Sequence, residues 1–343
     1  MSAFRRQRGV VLPIVLFFTL LLVTSITTFL KRATLDAILS RNRDAMMSTE
    51  ALARGGVELA KALLIEDLAV DAMDDGPARS DNHLERWAQA KNAVISLEDG
   101  SELRLQIEDA GTLLNINAAF AFDETGTPTD QTETFLVAFL ERMIEETPID
   151  VQGLYDAREL AANLIDYVDP DEVRRSGGFE DEYYQAQNPP YRAANGPLLS
   201  VEELARVEGF DKTLVDIIRP YITVYPYVGG KGINPNTAPP HVLGLIFYND
   251  GVEYRLAKSD DVKRIMEFRA DGLILCITEA GEHCIPINEV FPNASTVYPP
   301  LAYSSDTFTV HAQARMGDVQ RTVDAVIDRS AITNPLVLSW KVR

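Results

Sequence analysis

The chain has 343 residues, 46% of them hydrophobic, enough apolar material for one large domain or two modest ones. A formal net charge of -19 excludes a surface built to hold nucleic acid or anionic lipid headgroups, since both require clustered cations. Two cysteines cannot complete a zinc set, the histidines His83, His241, His283 and His311 are scattered, and no nucleophile elbow, phosphate loop or dinucleotide fingerprint is present, so the sequence points away from catalysis.

The first element is an apolar helix. Arg5, Arg6 and Arg8 lead to Gly9, after which Val10 to Leu30 runs 21 residues without a charge, long enough to cross a bilayer. A secretory signal places its small-residue cleavage site after the apolar core, whereas here the small residue precedes it. Cutting between Gly9 and Val10 would retain the apolar helix and, by removing three arginines, leave a net charge of about -22. Pro13 is compatible with a first helical turn, where amides have no intrahelical partner. Beyond the apolar run, Leu35, Ile38, Leu39, Met46, Leu52, Val57, Leu59, Leu63 and Leu64 recur at helical spacing, predicting one continuous helix of roughly 80 Å. Gly55-Gly56 within it marks either a bend or a close approach, and Asp74-Asp75-Gly76-Pro77 ends it.

Two strands are predicted next, Ala93 to Leu97 and Glu102 to Ile107 around an Asp99-Gly100 turn. The same alternation returns at the far end of the chain, where Phe308, Val310, Ala312 and Ala314 are followed by a Gly317-Asp318 turn and by Val323, Ala325 and Ile327. The interval from Gly111 to Ala270 instead shows helical periodicity over Phe135 to Ile144, Ala157 to Val168, Val201 to Val207, Leu214 to Ile218, His241 to Phe247 and Val262 to Phe268. The expected fold class is therefore α+β, a long helix on an antiparallel sheet with a large all-α, helix-hairpin-like domain inserted into the sheet. The expected division is 1–9 leader, 10–30 membrane helix, 31–110 helix and first strands, 111–270 inserted domain and 271–343 remaining strands.

A short basic leader ending in glycine ahead of a retained apolar helix resembles the type IV pilins and their relatives. Such subunits usually carry a glutamate at the fifth mature position; counted from Val10, this chain has Ile14. That difference, together with Leu114-Asn-Ile-Asn-Ala118, Leu164-Ile-Asp-Tyr-Val-Asp-Pro-Asp171, Pro190-Tyr-Arg-Ala-Ala-Asn-Gly-Pro197 and Ile233-Asn-Pro-Asn-Thr-Ala-Pro239, resembles the K-type minor pseudopilins of type II secretion. The resemblance implies cleavage by prepilin peptidase, methylation of the Val10 amine, a bacterial inner-membrane anchor with the C-terminal bulk in the periplasm, and a place at the pseudopilus tip. It also implies the major pseudopilin and the I-type and J-type minor pseudopilins as partners. The other readings are a minor pilin of type IV pili and, in a different class, a membrane-anchored DNA-uptake receptor, against which the acidity argues.

Two clusters carry the remaining chemistry. Asp166, Asp169, Asp171, Glu172, Glu180, Asp181 and Glu182 place seven carboxylates within 17 positions. A solvated loop paired with Arg174 and Arg175 and a hard-cation site are both open on composition, and the spacing is not that of an EF-hand, since Val173 and Arg174 occupy its fifth and sixth positions. The family resemblance implies structural calcium, with Asp166, Asp169, Asp171, Glu180 and Asp181 as candidate ligands. Cys276 and Cys284 flank what reads as a hairpin turning near Ala280-Gly281, which would place them for a cross-strand disulfide in an oxidising compartment. Tyr183, Tyr184 and Tyr191 are expected to pack the acidic loop down, and Thr237 to cap a helix beginning near Pro239.

Overall fold

The computed structural model describes residues 11–73, 80–123, 127–277, 284–291, 297–331 and 334–343. Gly9 and Val10, the Asp74-Pro77 break, the Ala280-Gly281 turn and His283 lie outside these residues.

In chain order the protein forms helix α1 (Val11–Met73), the one-turn helix α2 (Arg86–Gln89) and strands β1 (Val94–Ser96), β2 (Glu102–Asp109) and β3 (Leu114–Asn115). Helices α3 (Asp130–Glu145), α4 (Ile149–Gln152), α5 (Ala157–Val168), α6 (Asp181–Gln185) and α7 (Lys212–Ile218) follow, then strand β4 (Ile222–Thr223) and helix α8 (Pro240–Leu243). Strands β5 (Phe247–Asn249) and β6 (Tyr254–Leu256), helix α9 (Ser259–Ala270) and strands β7 (Ile274–Cys276), β8 (Cys284–Pro286), β9 (Thr307–Met316), β10 (Val319–Asp328) and β11 (Leu336–Val342) complete the chain.

The 63 residues of α1 span about 95 Å at 1.5 Å per residue. Its N-terminal part contains an apolar segment long enough to cross a membrane, with no part of that segment buried in the protein. Its C-terminal part buries Ala53, Gly56, Val57, Ala60 and Leu64, a stripe at helical spacing, against a five-stranded antiparallel sheet. Strand order is β1-β2-β9-β10-β11, so β2 pairs with a strand some 200 positions later, with Asp109 opposite Phe308. The predicted alternation puts Leu103, Leu105, Ile107, Phe308, Val310, Ala312, Ala314, Val323, Ala325 and Ile327 beneath α1 as one core. Gly56 answers the question its pair raised: a Cβ there would lie 2.9 Å from both Ala312 Cβ and Leu103 Cδ1, whereas Gly55 faces open space. The glycine is where the helix touches the sheet.

The described residues between β2 and β9 form the inserted unit. Its longest elements are the helices α3, α5 and α9, and β3–β4, β5–β6 and β7–β8 add three two-stranded ladders. Its core begins at Leu114 and runs past Ala270 to take in Leu275, Ile287, Phe291, Tyr298 and Leu301, so the unit returns to the sheet near Leu301 rather than at 270. All 12 tyrosines fall between Tyr155 and Tyr303 in this unit, while both tryptophans, Trp87 and Trp340, belong to the helix-and-sheet unit.

Three local expectations need correction. The helix predicted over His241 to Phe247 stops at Leu243, because the continuous apolar run continues as β5, paired with β6. Thr237 does not cap α8; its hydroxyl is drawn into the buried Asp109 carboxylate, donating to Oδ2 at 2.8 Å, and Pro239 takes the cap position. β7 and β8 run parallel, not as a hairpin: the Asn236 side chain accepts from the Leu275 amide at 2.7 Å and donates to its carbonyl at 2.9 Å, taking bonds that a hairpin partner would use. The Cys276–Cys284 disulfide is nonetheless formed, with the Cα atoms 6.0 Å apart.

A candidate metal centre

Helix α5 begins at Asp156, whose Oδ1 accepts from the amides of Arg158 and Glu159 at 2.9 and 3.2 Å. It buries Leu160, Ala161, Leu164, Ile165 and Val168 in the inserted unit's core. Pro170 prevents its continuation, leaving Asp169 as the C-cap with its amide bonded to the Ile165 carbonyl at 2.8 Å. The chain then makes a tight excursion. Val173 bridges to Phe179, and Gly177 and Gly178, at φ +90° and +101°, supply the left-handed turn between them. The Glu180 amide closes the excursion on the Glu172 carbonyl at 3.3 Å. This fold-back brings Glu180 over the end of α5.

The result is a cluster of Asp166, Asp169 and Glu180, with one carboxylate oxygen from each lying within 4.8 Å of the others. All three are buried, at 4%, 2% and 3% exposure. Asp169 Oδ1 and both Glu180 oxygens are buried and have no hydrogen-bond donor. Burial and the neighbouring charges of Asp171 and Asp166 push the Asp169 carboxyl up to about 6, and burial with repulsion from Asp169, Asp166 and Asp171 pushes Glu180 up to about 8. Burial also raises Asp166, opposed by the Arg175 amide, which reaches its two oxygens at 3.2 and 3.3 Å. The set lies at the negative end of the α5 dipole, which makes three carboxylates less favourable still.

The loop arginines are committed elsewhere. Arg174 pairs with Glu208 at 2.5 Å and Arg175 with Glu133 at 2.5 Å, so neither side chain pairs with the cluster. Of the five predicted ligands, the fold converges three. Asp171 is exposed and its Oδ1 accepts from the Val173 amide at 2.7 Å; Asp181 accepts from the Ala193 amide at 3.1 Å and lies 3.5 Å from Arg192. The tyrosines support the loop from below: Tyr184 is buried with ring centroids 5.5 Å from Tyr167, 5.2 Å from Tyr183 and 5.4 Å from Tyr191. Asn195, at φ 44°, ties Asp171 and Tyr167 together through their carbonyls at 2.6 and 3.0 Å.

Three buried carboxylates, of which Asp169 and Glu180 present three oxygens without donors, fit a hard divalent cation. An all-oxygen set without histidine or cysteine does not suit zinc. Calcium fits better than magnesium, because magnesium keeps several waters and is reluctant to enter a protein cage.

The second triplet of acidic side chains, Asp67, Asp81 and Glu85, is a different case. The Arg329 guanidinium lies between Asp67 and Asp81, at 2.7 Å from Asp67, and Glu85 accepts from the Asn82 side chain at 2.9 Å, so a cationic side chain already fills the gap between the two aspartates. Sequence reading overlooked Arg329 because a charged residue at the end of an edge-adjacent strand ordinarily faces water.

Comparison with known proteins matches residues 112–227, the segment holding this cluster, to the family model of type II secretion system (T2SS), protein K. A type II secretion system protein K relative in Escherichia coli (strain K12) is 28% identical over 222 residues, spanning 64% of this chain and 63% of that protein. The protein of that name from Aeromonas hydrophila is 27% identical over 98% of this chain and 97% of its own length. That of Pseudomonas aeruginosa is 30% identical over 72% and 70%. Among solved structures, a chain of the GspK-GspI-GspJ complex from enterotoxigenic Escherichia coli has the same fold, with a TM-score of 0.61 at 19% identity, covering 89% of this chain and 99% of that one. By sequence identity and extent of match, the chain belongs to the type II secretion system protein K family.

Proposed function

We propose that this protein is the minor pseudopilin at the tip of a type II secretion pseudopilus, assembling with I-type and J-type minor pseudopilins and then with the major pseudopilin. The observation that carries this reading is the arrangement of one membrane-length helix seated on an antiparallel sheet, with a large separate unit inserted between β2 and β9. A long helix suits lateral stacking with neighbours, and the inserted unit is bulk that would obstruct a further subunit on top. Prepilin peptidase would cut between Gly9 and Val10 and methylate the new amine, keeping the apolar helix in the inner membrane and the acidic bulk in the periplasm. Ile14 offers no carboxylate to a neighbour's terminal amine, which suits a subunit with none above it.

In this reading Asp166, Asp169 and Glu180 hold a structural calcium ion, which cancels their repulsion and locks the loop after α5. Its role is to shape the outer surface of the inserted unit.

Mass spectrometry of the protein from cells with an active peptidase tests the processing: a mature chain starting at methylated Val10 is expected, and one starting downstream of Leu30 or at Met1 overturns the reading. Deleting the gene and supplying it in trans tests the role. Secretion should stop and be restored, and the protein should co-purify with I-type and J-type pseudopilins; normal secretion in its absence removes the proposal.

A further inference from the structure

The two apolar cores do not merge. One lies between α1 and the sheet, the other fills the inserted unit, and the buried groups between them are mainly polar, with the small Ala110 and Ala302 among them belonging to neither core. Arg329, fully buried at the end of β10, stacks its guanidinium 4.3 Å from the Phe308 ring centroid. It donates to Asp67 of α1 at 2.7 Å, to Asp81 in the segment joining α1 to α2, and to the Ser305 carbonyl at the exit of the inserted unit at 3.2 Å. Asp81 in turn accepts from the Ser305 amide at 2.5 Å, and its carbonyl accepts from the Asn234 side chain at 3.0 Å. That same Asn234 amide reaches Asp109 at the end of β2 at 2.8 Å, where the Thr237 hydroxyl and the Gly111 amide also donate, at 2.8 and 2.6 Å. The seam thus links α1, the α1–α2 connector, both chain crossings into the sheet and the interior of the inserted unit.

Apolar contact is non-directional and tolerates sliding, whereas a buried network in which each bond has a fixed angle admits one arrangement. We infer that this seam sets the orientation of the inserted unit on the long helix, with Arg329 as the positioning residue that joins them. Stability of each unit comes from its own core; the seam specifies how one is held on the other, a role documented for some buried polar groups elsewhere. The inserted unit then moves as one body with α1.

The test uses the full chain in detergent, spin-labelled at Leu154→Cys in the inserted unit and Gln320→Cys in the sheet, both exposed. The wild-type background should give one narrow distance. Arg329→Met combined with Asp67→Asn and Asp81→Asn leaves no buried carboxylate unpaired; the tyrosine and tryptophan near-UV signals should persist while the distribution widens about two-fold. An unchanged distribution in the folded variant overturns the inference. Should this variant fail to fold, the milder Asp109→Asn with Thr237→Val decides: widening supports the inference, while an unchanged distribution or loss of either near-UV signal refutes it.

Discussion

Asp169 and Glu180 are held by the fold in a state that disfavours their charge, which makes stability depend on pH. A carboxyl whose value is raised in the fold binds its proton more tightly there than in the unfolded chain, so its contribution is present at low pH and lost as pH rises through the folded value. For Asp169, raised from 3.8 to about 6, and Glu180, raised from 4.5 to about 8, the window lies between those values. In chelator, the melting temperature should fall as pH rises from 5 to 8, and calcium should flatten or reverse that fall because the cation replaces the protons. A flat or rising profile in chelator would show that these carboxyls are not disfavoured. Glu180→Gln separates repulsion from ligation. At pH 7.5 in chelator the variant should melt at or above wild type, yet lose most of the stabilisation from calcium, which is about 2.7 kcal/mol for wild type at a hundredfold excess over the dissociation constant. Retention of the full calcium increment by the variant would remove Glu180 from the site.

At the scale of elements, the contact between α1 and the sheet is set by small residues. Because a Cβ on Gly56 would meet Ala312 and Leu103 at 2.9 Å, Gly56→Ala should cost about 1 to 3 kcal/mol, whereas Gly55→Ala, one position away in open space, should stabilise by up to about 1 kcal/mol. Denaturant melts followed by tryptophan fluorescence read both, and equal effects would contradict the packing. The Cys276–Cys284 bridge closes a short loop at a sequence separation of 8, so its reduction or Cys276→Ser with Cys284→Ser should cost about 2 kcal/mol in tyrosine-detected melts. These elements also show what the sequence disclosed. α5 is legible to the residue because Asp156 starts it and Pro170 stops it, and β2, β9 and β10 are legible because one face of each is buried over most of its length. β11 escaped because this edge strand buries no residue, Leu338 and Ser339 being only half-buried, and so shows no alternation. The parallel β7–β8 pairing depends on the Asn236 side chain, 39 positions from Leu275, which local pattern cannot reveal. The acidic loop was visible as composition, but which three carboxylates converge depends on the Val173–Phe179 fold-back.

At the scale of the whole molecule, the chain carries its own reporters. Tyrosine signal arises only from the inserted unit and tryptophan signal only from the helix-and-sheet unit. The candidate cation site lies in the first, and the two units share a polar seam rather than an apolar core. With calcium bound, the inserted unit is stable enough that both units should unfold together, since losing either breaks the Arg329 and Asp109 networks. Without it, the three buried carboxyls in the inserted unit alone must either repel one another or take up protons against the solution pH, both of which cost stability at neutral pH and above, and that unit should fail first. Thermal melts of the full chain should therefore show coincident tyrosine and tryptophan transitions in calcium and separated ones in chelator, tyrosine at the lower temperature. The tryptophan transition should itself shift slightly downward in chelator, because Asp81 and Arg329 lose Asn234 and Ser305 once the inserted unit has melted. Transitions that coincide in both conditions would mean that the molecule is one cooperative unit despite its two cores, and a tryptophan transition that precedes the tyrosine one would place the calcium-sensitive element in the wrong half.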